Sequence, residues 1–235
     1  MSIQERIAGL NWAGISNGMD SKGYVLVKNV LTAEECDDLT AEYTNDQLYR
    51  KTIIMEHHQY GLGEYKYFKY PLPALIQQLR ESVYPQLAPI ANGWMQYLNK
   101  EQRFPDTLDE LLQHCHEHDQ LRPTPLILQY TQGGYNAMHQ DLYGEVFFPM
   151  QLVFILDEPG RDYEGGEFIL MEQKPRAQSR AIVLKPSKGD MLLFTTSYRP
   201  AKGSMGYHKV NMKHGVGEVI AGKRRSMGVI FHDAK

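Results

Sequence analysis

Cysteine is scarce: Cys36 and Cys115 are the only two in 235 residues, far apart and without a pairing pattern. That excludes a disulfide framework and makes reduced thiols in a cytoplasmic compartment the expectation. Long apolar runs are missing too. No uninterrupted segment is long enough to cross a bilayer, and Met1-Ser2-Ile3-Gln4-Glu5-Arg6 does not lead a basic start into an apolar stretch, so no membrane partner is expected. Nor is there an excess of positive charge. The 25 Lys and Arg stand against 28 Asp and Glu, a net charge of −3, which argues against coating nucleic acid by bulk charge and leaves room only for a local basic patch. Low-complexity tracts and internal repeats are absent. What the chain has is 42% hydrophobic residues, enough for one good core, so a single domain over 1–235 is expected; nothing in the composition bears on oligomeric state.

The first half reads as a helical flank, residues 1–124, with one initial strand. Ile3 to Trp12 suits a short helix that Gly14 and Gly18 break, and Gly23 to Lys28 suits a strand. Thr32-Ala33-Glu34-Glu35 and Thr107-Leu108-Asp109-Glu110 each have the Ser/Thr-x-x-Glu spacing of a helix N-terminus. Leu75, Ile76, Leu79 and Val83 fall at helical spacing, so Ala74 to Tyr84 and Leu87 to Leu98 read as two helices, with Pro85 and Pro89 as breakers. Lys51 to Tyr70 is the least regular stretch. Its rings (His57, His58, Tyr60, Tyr65, Tyr67, Phe68, Tyr70) alternate with lysines, which fits either a lid that stacks a flat substrate or an irregular hairpin covering the core. Gly61-Leu62-Gly63 is not a dinucleotide fingerprint, since the third glycine and the βαβ context are missing. His114 and His118, four residues apart at a helix end, are a rival metal pair, although histidines in a last turn are favoured by the helix dipole alone.

From Pro125 the pattern turns to short β runs divided by turn residues, which indicates a sandwich or barrel over 125–235. The fold class expected is α+β and β-rich, a jelly roll with the N-terminal helices packed on one side. On a strand, residues two apart share a face, so His139 and Asp141 present an imidazole and a carboxylate side by side. A third ligand must come from elsewhere. Two neutral histidines and one carboxylate leave a ferrous ion about three open positions, as in non-haem Fe(II) oxygenases. The candidates for the third place are His208, His214 and His232. His214 is favoured because its strand is expected to turn at Gly222 and return through Arg224 on a paired strand; His208 is expected in a loop. Arg225 should point away from Arg224 by strand alternation.

Several marks occur in order: His139-Gln140-Asp141, Tyr163-Glu164-Gly165-Gly166-Glu167-Phe168, Lys188-Gly189-Asp190, His214-Gly215-Val216, and Arg224-Arg225-Ser226 ten residues beyond His214. With them, Leu126 to His232 resembles the double-stranded β-helix (cupin-like) core of the Fe(II)/2-oxoglutarate-dependent dioxygenases, nearest the prolyl-hydroxylase-like branch in its Gly-Gly-Glu turn and its spacing from histidine to arginine. The resemblance implies Fe(II) on His139, Asp141 and His214. It also implies 2-oxoglutarate as cosubstrate, O2 as oxidant, ascorbate as a supporting reductant, and succinate and carbon dioxide as products. Arg224 would grip the far carboxylate of the cosubstrate, for which a planar, permanently charged fork is suited. Ser226 would assist it, and Tyr130 occupies a position from which family members hydrogen-bond the cosubstrate.

The substrate is left open among a small molecule, a peptide and a nucleic acid. Seven Lys and Arg lie from Arg199 to Arg225 against the single acid Glu218, a basic rim that suits phosphate or is a solvated face. His-Gln-Asp resembles the alkylation-repair dioxygenases, which would flip a methylated base onto the Tyr60 to Tyr70 rings. The ten-residue interval departs from that branch and tips the reading slightly toward a hydroxylase. A cupin-like metal-binding module without oxidation is the alternative of another class.

Overall fold

The computed structural model describes residues 1–141 and 144–235. Helices α1 (Ile3–Ala8) and α2 (Trp12–Lys22) come first, then β1 (Tyr24–Val27) and α3 (Ala33–Ala41), then β2 (Tyr49–Ile54), β3 (Gly61–Leu62) and β4 (Glu64–Phe68). Next are α4 (Ala74–Tyr97) and α5 (Leu108–Glu117). Ten strands complete the chain: β5 (Leu126–Thr131), β6 (Tyr135–His139), β7 (Met150–Ile155), β8 (Tyr163–Gly165), β9 (Phe168–Gln173), β10 (Arg180–Leu184), β11 (Met191–Thr195), β12 (Tyr198–Gly203), β13 (Gly206–Val216) and β14 (Val219–Val229). Among the described residues they form two sheets. The larger runs β1-β11-β7-β14-β5-β4-β2 with β8 on β14, and the smaller runs β10-β9-β13-β6-β3 with β12 on β13. This is the double-stranded β-helix expected.

Strand alternation explains where the core sits. Met227 and Val229 on β14, Leu152 and Phe154 on β7, and Leu193 on β11 are buried on the outer face of the large sheet and cluster with the helices. The residues between them, Val153, Leu192 and Phe194, turn inward and meet Phe168, Leu170 and Met212 of the small sheet. The helices therefore back the large sheet, with α2 and α4 reaching β12 at the margin of the small one, and the space between the sheets is left for a site.

Four expectations are corrected. Helix α2 runs through Gly14 and Gly18, because the missing side chain at Gly18 lets β1 lie close; a Cβ there would stand 2.4 Å from Val25 Cγ2. Helix α4 is continuous through Pro85 and Pro89. Each interior proline removes a hydrogen bond and costs about 3 kcal/mol, but the stripe Ile76, Leu79, Val83, Tyr84, Leu87, Ala91 and Trp94 is wholly buried and outweighs it. Of the two readings of the aromatic stretch, the irregular hairpin is the one found, since β4 pairs with β2 and β5 and β3 pairs with β6. With β1 bonded to β11, residues before 125 thus supply strands to both sheets and are more than a flank. Last, Tyr198 to Lys209 is not a loop but the β12–β13 hairpin, with His208 opposite Ala201.

The burial of α4 sets a test of the helical layer. Trp94 is fully buried and its Nε1 donates to Asp20 Oδ1 at 2.7 Å. Trp94→Ala should lower unfolding free energy by about 3–5 kcal/mol, read from urea denaturation; a loss below about 1 kcal/mol would mean that the helix is not packed as described.

Candidate metal centre

His139 and His214 are direct cross-strand partners on β6 and β13, so both rings stand on the inner face of the small sheet, their centroids 4.2 Å apart. Asp141 follows just beyond β6. The intervening Gln140 turns the other way, and its Nε2 donates to the carbonyls of Ser197 (2.7 Å) and Met212 (2.8 Å), fastening the strand end to the base of the hairpin. One Asp141 oxygen lies 3.5 Å from His139 Nε2 and the other 3.2 Å from His214 Nε2. One ligand atom from each residue lies within 4.8 Å of the others, and among the described residues this is the group of three that could hold a metal. His139 Nδ1 donates to the Ala137 carbonyl at 2.7 Å, which puts a proton on Nδ1 and turns Nε2 toward Asp141.

The electrostatics suit a cation. Burial alone would raise the Asp141 pKa, but the charge of His214 and the hydrogen bonds from His139 and His214 hold it well below the usual carboxylate range. Burial drives His214 the other way, toward the neutral imidazole a metal needs, against the pull of Asp141. Phe168 and Phe194 pack on the His214 ring, at 6.1 and 4.8 Å between centroids.

Across the cavity, on the inner face of the large sheet, stands Arg224. It is 1% exposed, its Nη1 donates to Ser226 Oγ at 3.2 Å, and its guanidinium lies 5.6 Å from the Tyr130 ring and 5.9 Å from the Tyr163 ring. Among the described residues no carboxylate comes within ion-pair distance of it, and its Nε has no partner. Arg225 behaves as alternation requires: it faces outward and its Nε and Nη2 grip Asp157 at 3.0 and 2.7 Å. Tyr130 is Arg224's cross-strand partner and its hydroxyl accepts from Asn136 Nδ2 at 3.3 Å; burial pushes its pKa up to about 12. The Gly-Gly-Glu turn now has a reason. Gly166 sits at φ +62°, and a Cβ there would be 2.7 Å from Arg224 Cδ, so only glycine gives the guanidinium its berth.

One cavity of about 350 Å³ joins these groups, and Tyr65, Tyr67, Leu126, Leu128, Gly228 and Ile230 also line it. The six residues singled out from the sequence (His139, Asp141, His214, Arg224, Ser226 and Tyr130) come together around it; all but Tyr130 and Ser226 were expected on their chemistry as well as their motif. The route to His214 was misread. His214 and Arg224 are not on paired strands: β13 pairs with β12, β9 and β6, and β14 with β5, β7 and β8. They face each other from opposite sheets because the chain crosses over after Val216, while Gly222 (φ +80°) lies within β14, where a Cβ would be 2.2 Å from the Asp162 carbonyl. The rivals fall away. His208 is exposed on the hairpin, His114 is exposed near the end of α5, and half-buried His118 just beyond it has its ring held by the His114 carbonyl. His232 is buried, but its Nδ1 accepts from the Phe148 N–H at 3.1 Å. The basic rim shrinks as well, since Arg199 is buried against Glu172 at 2.6 Å and Arg225 against Asp157. Sequence reasoning missed Gln151, whose Nε2 donates to Asp141 at 2.9 Å; it was the one polar residue in the apolar run Met150–Ile155.

The two facing sheets and the histidine–carboxylate cluster between them define the class, a 2-oxoglutarate-Fe(II) oxygenase. Within it, the chain belongs to the Oxygenase-NA family, described as "Oxygenase, catalysing oxidative methylation of damaged DNA", whose model matches residues 63–234. Two uncharacterised proteins from Mycobacterium tuberculosis, strains CDC 1551 / Oshkosh and ATCC 25618 / H37Rv, are 46% identical to it over 167 residues, spanning 71% of this chain and 72% of theirs. The fold is similar to a prolyl hydroxylase from Trichoplax adhaerens in complex with a hypoxia inducible factor peptide fragment (TM-score 0.60, 13% identity, 98% of this chain and 92% of that one). It is also similar to an oxidoreductase of the 2OG-Fe(II) oxygenase family from Burkholderia pseudomallei (TM-score 0.53, 15% identity, 94% and 90%). At such identities the likeness to the solved structures is one of fold.

Burial lowers His232 from 6.5 to about 4, so this ring folds neutral and titrates only in the unfolded chain across that interval. Its contribution is fully present above pH 6.5 and is lost as pH falls toward 4, a change of up to about 3 kcal/mol. His232→Asn, which keeps an acceptor for Phe148, should flatten the fall in unfolding free energy across that window; an unchanged slope would contradict the assignment.

Proposed function

We propose that the protein binds Fe(II) through His139, Asp141 and His214 and 2-oxoglutarate through Arg224, Ser226 and Tyr130, and that it oxidises methylated bases of damaged nucleic acid. The observation that carries the cofactor reading is the buried guanidinium of Arg224, without a carboxylate in ion-pair reach among the described residues and open to the same cavity as the metal-binding trio. An arginine cannot escape burial by losing its proton, so a carboxylate from a ligand is what satisfies it. The donor set fits ferrous iron: two imidazole nitrogens and an ionised carboxylate on one side of a cavity leave about three positions for ligands that are not protein. When bound, the metal and the keto acid supply oxidising power, as O2 and 2-oxoglutarate become succinate, carbon dioxide and one hydroxyl group on a substrate carbon. A carbinol formed on a ring nitrogen departs as formaldehyde, which restores the base.

The chain's own residues do the positioning. Arg224 and Ser226 would hold the far carboxylate of the keto acid and Tyr130 would wall that end, so its other end points at the trio. Phe168 and Phe194 keep water from His214. The apolar part of the cavity, between the Tyr65 and Tyr67 rings and the side-chain-free position Gly228, suits a flat ring, and half-exposed Tyr60, stacked on His58 at 5.3 Å, stands at its lining. These features and the family's description together favour a base over the peptide or small-molecule C–H bond toward which the histidine-to-arginine spacing leaned.

The test is substrate-dependent succinate release in air with Fe(II), 2-oxoglutarate and either methylated oligonucleotides or proline-containing peptides. Methylated oligonucleotides should raise succinate above the uncoupled background and release formaldehyde. Stimulation by peptides alone would restore the hydroxylase reading, and no succinate under any condition would favour a binding module. Arg224→Ala should weaken 2-oxoglutarate binding about 10–100-fold in calorimetry while iron is retained; loss of iron instead would mean that Arg224 is misassigned.

A further inference from the structure

We propose that Gln151 is a positioning residue that holds the metal ligand Asp141 in place from the opposite sheet and keeps it a single-point ligand. This rests on the reading of His139, Asp141 and His214 as the metal site. Gln151 lies on β7, a strand whose six residues are all buried and whose other five are apolar. It is 6% exposed, and its Oε1 is buried without a partner. Leaving an amide oxygen unsatisfied costs about 1–3 kcal/mol, so a core that wanted only packing at this place would be more stable with leucine.

The other end of the amide shows what offsets that cost. Nε2 donates to Asp141 Oδ2 at 2.9 Å and sits 3.4 Å from His214 Nε2, so the polar end of the side chain is directed at the trio. An amide nitrogen is the right group for this: it donates, it is neutral, and it does not compete for the metal. The orientation is fixed by chemistry, because the reversed amide would set its oxygen against an ionised carboxylate.

Asp141 lies beyond the end of β6, where the backbone ladder no longer sets the direction of its side chain. A carboxylate that turned in its plane could grip a cation with both oxygens and take a position that the keto acid or O2 needs. A hydrogen bond on Oδ2 engages one lone pair there and holds the plane of the group. Gln151 is well anchored for the purpose. It is the cross-strand partner of Phe194, whose ring lies 4.8 Å from that of His214, so the amide and the His214 packing move as one unit.

The experiment uses metal-free protein titrated with Mn(II) and Co(II), with two variants. Gln151→Leu removes the donor; Gln151→Glu keeps the shape but replaces it with an acceptor. For Gln151→Leu we expect metal affinity to fall about 10–100-fold while the Tm of the metal-free protein is unchanged or higher, a pairing that a merely structural role would invert. For Gln151→Glu we expect metal to be retained, with a changed Co(II) visible spectrum that no longer responds to added 2-oxoglutarate. Wild-type affinity and spectrum in both variants would overturn the proposal, as would an affinity loss that tracks a drop in metal-free Tm. Failure of the wild-type protein itself to bind Mn(II) or Co(II) would instead overturn the metal site on which it rests.

Discussion

A guanidinium enclosed by protein keeps its charge, and the rest of the site is arranged around that fact. Arg224 and Arg225 are neighbours with opposite fates. Arg225 turns outward to a bidentate clasp on Asp157, while Arg224 turns inward to a hydroxyl and two tyrosine faces, with no carboxylate in reach among the described residues. Hydroxyl and ring contacts soften the burial of a cation without neutralising it. In the proposed reading that charge meets the far carboxylate of the keto acid, whose other end reaches the trio within the same cavity.

The two-sheet architecture makes this division of labour. The small sheet carries the histidines as a cross-strand pair, and the large sheet carries Arg224, Ser226 and Tyr130 on neighbouring strands with the same facing. Inner-face alternation then lines the space between with Val153, Leu192 and Phe194, which lowers the local dielectric and makes each polar group in it count for more. Helices α1, α2 and α4 pack from outside the large sheet, so the strand bearing Arg224 is stiffened on the face away from the ligand.

Much of the site was legible in the chain because its chemistry is carried by short-range spacing. The His139-x-Asp141 spacing marked two of the trio, Arg224 and Arg225 divide by strand alternation, and the capping boxes at Thr32 and Thr107 start helices α3 and α5 where expected. What failed was long-range. Prolines at 85 and 89 read as breaks because the burial that sustains α4 comes from a sheet remote in sequence. Gly222 read as a turn, but it is a close approach of β8 to β14 that only the pairing reveals. The placement of His214 opposite Arg224 on different sheets follows from a crossover that no local pattern marks. Gln151 was visible only as an interruption in an apolar strand, and its meaning depends on Asp141 arriving from the other sheet.

The claim at the centre is that one cavity holds iron and a keto acid together, the first on the trio and the second on Arg224. The most direct measurement is the visible spectrum of the protein under anaerobic conditions as 2-oxoglutarate is added to the Fe(II)-loaded form. A weak charge-transfer band that rises with the keto acid, and that fails to rise at the same concentrations in Arg224→Ala although iron is bound, is the expected result. A wild-type spectrum indifferent to 2-oxoglutarate would contradict the claim.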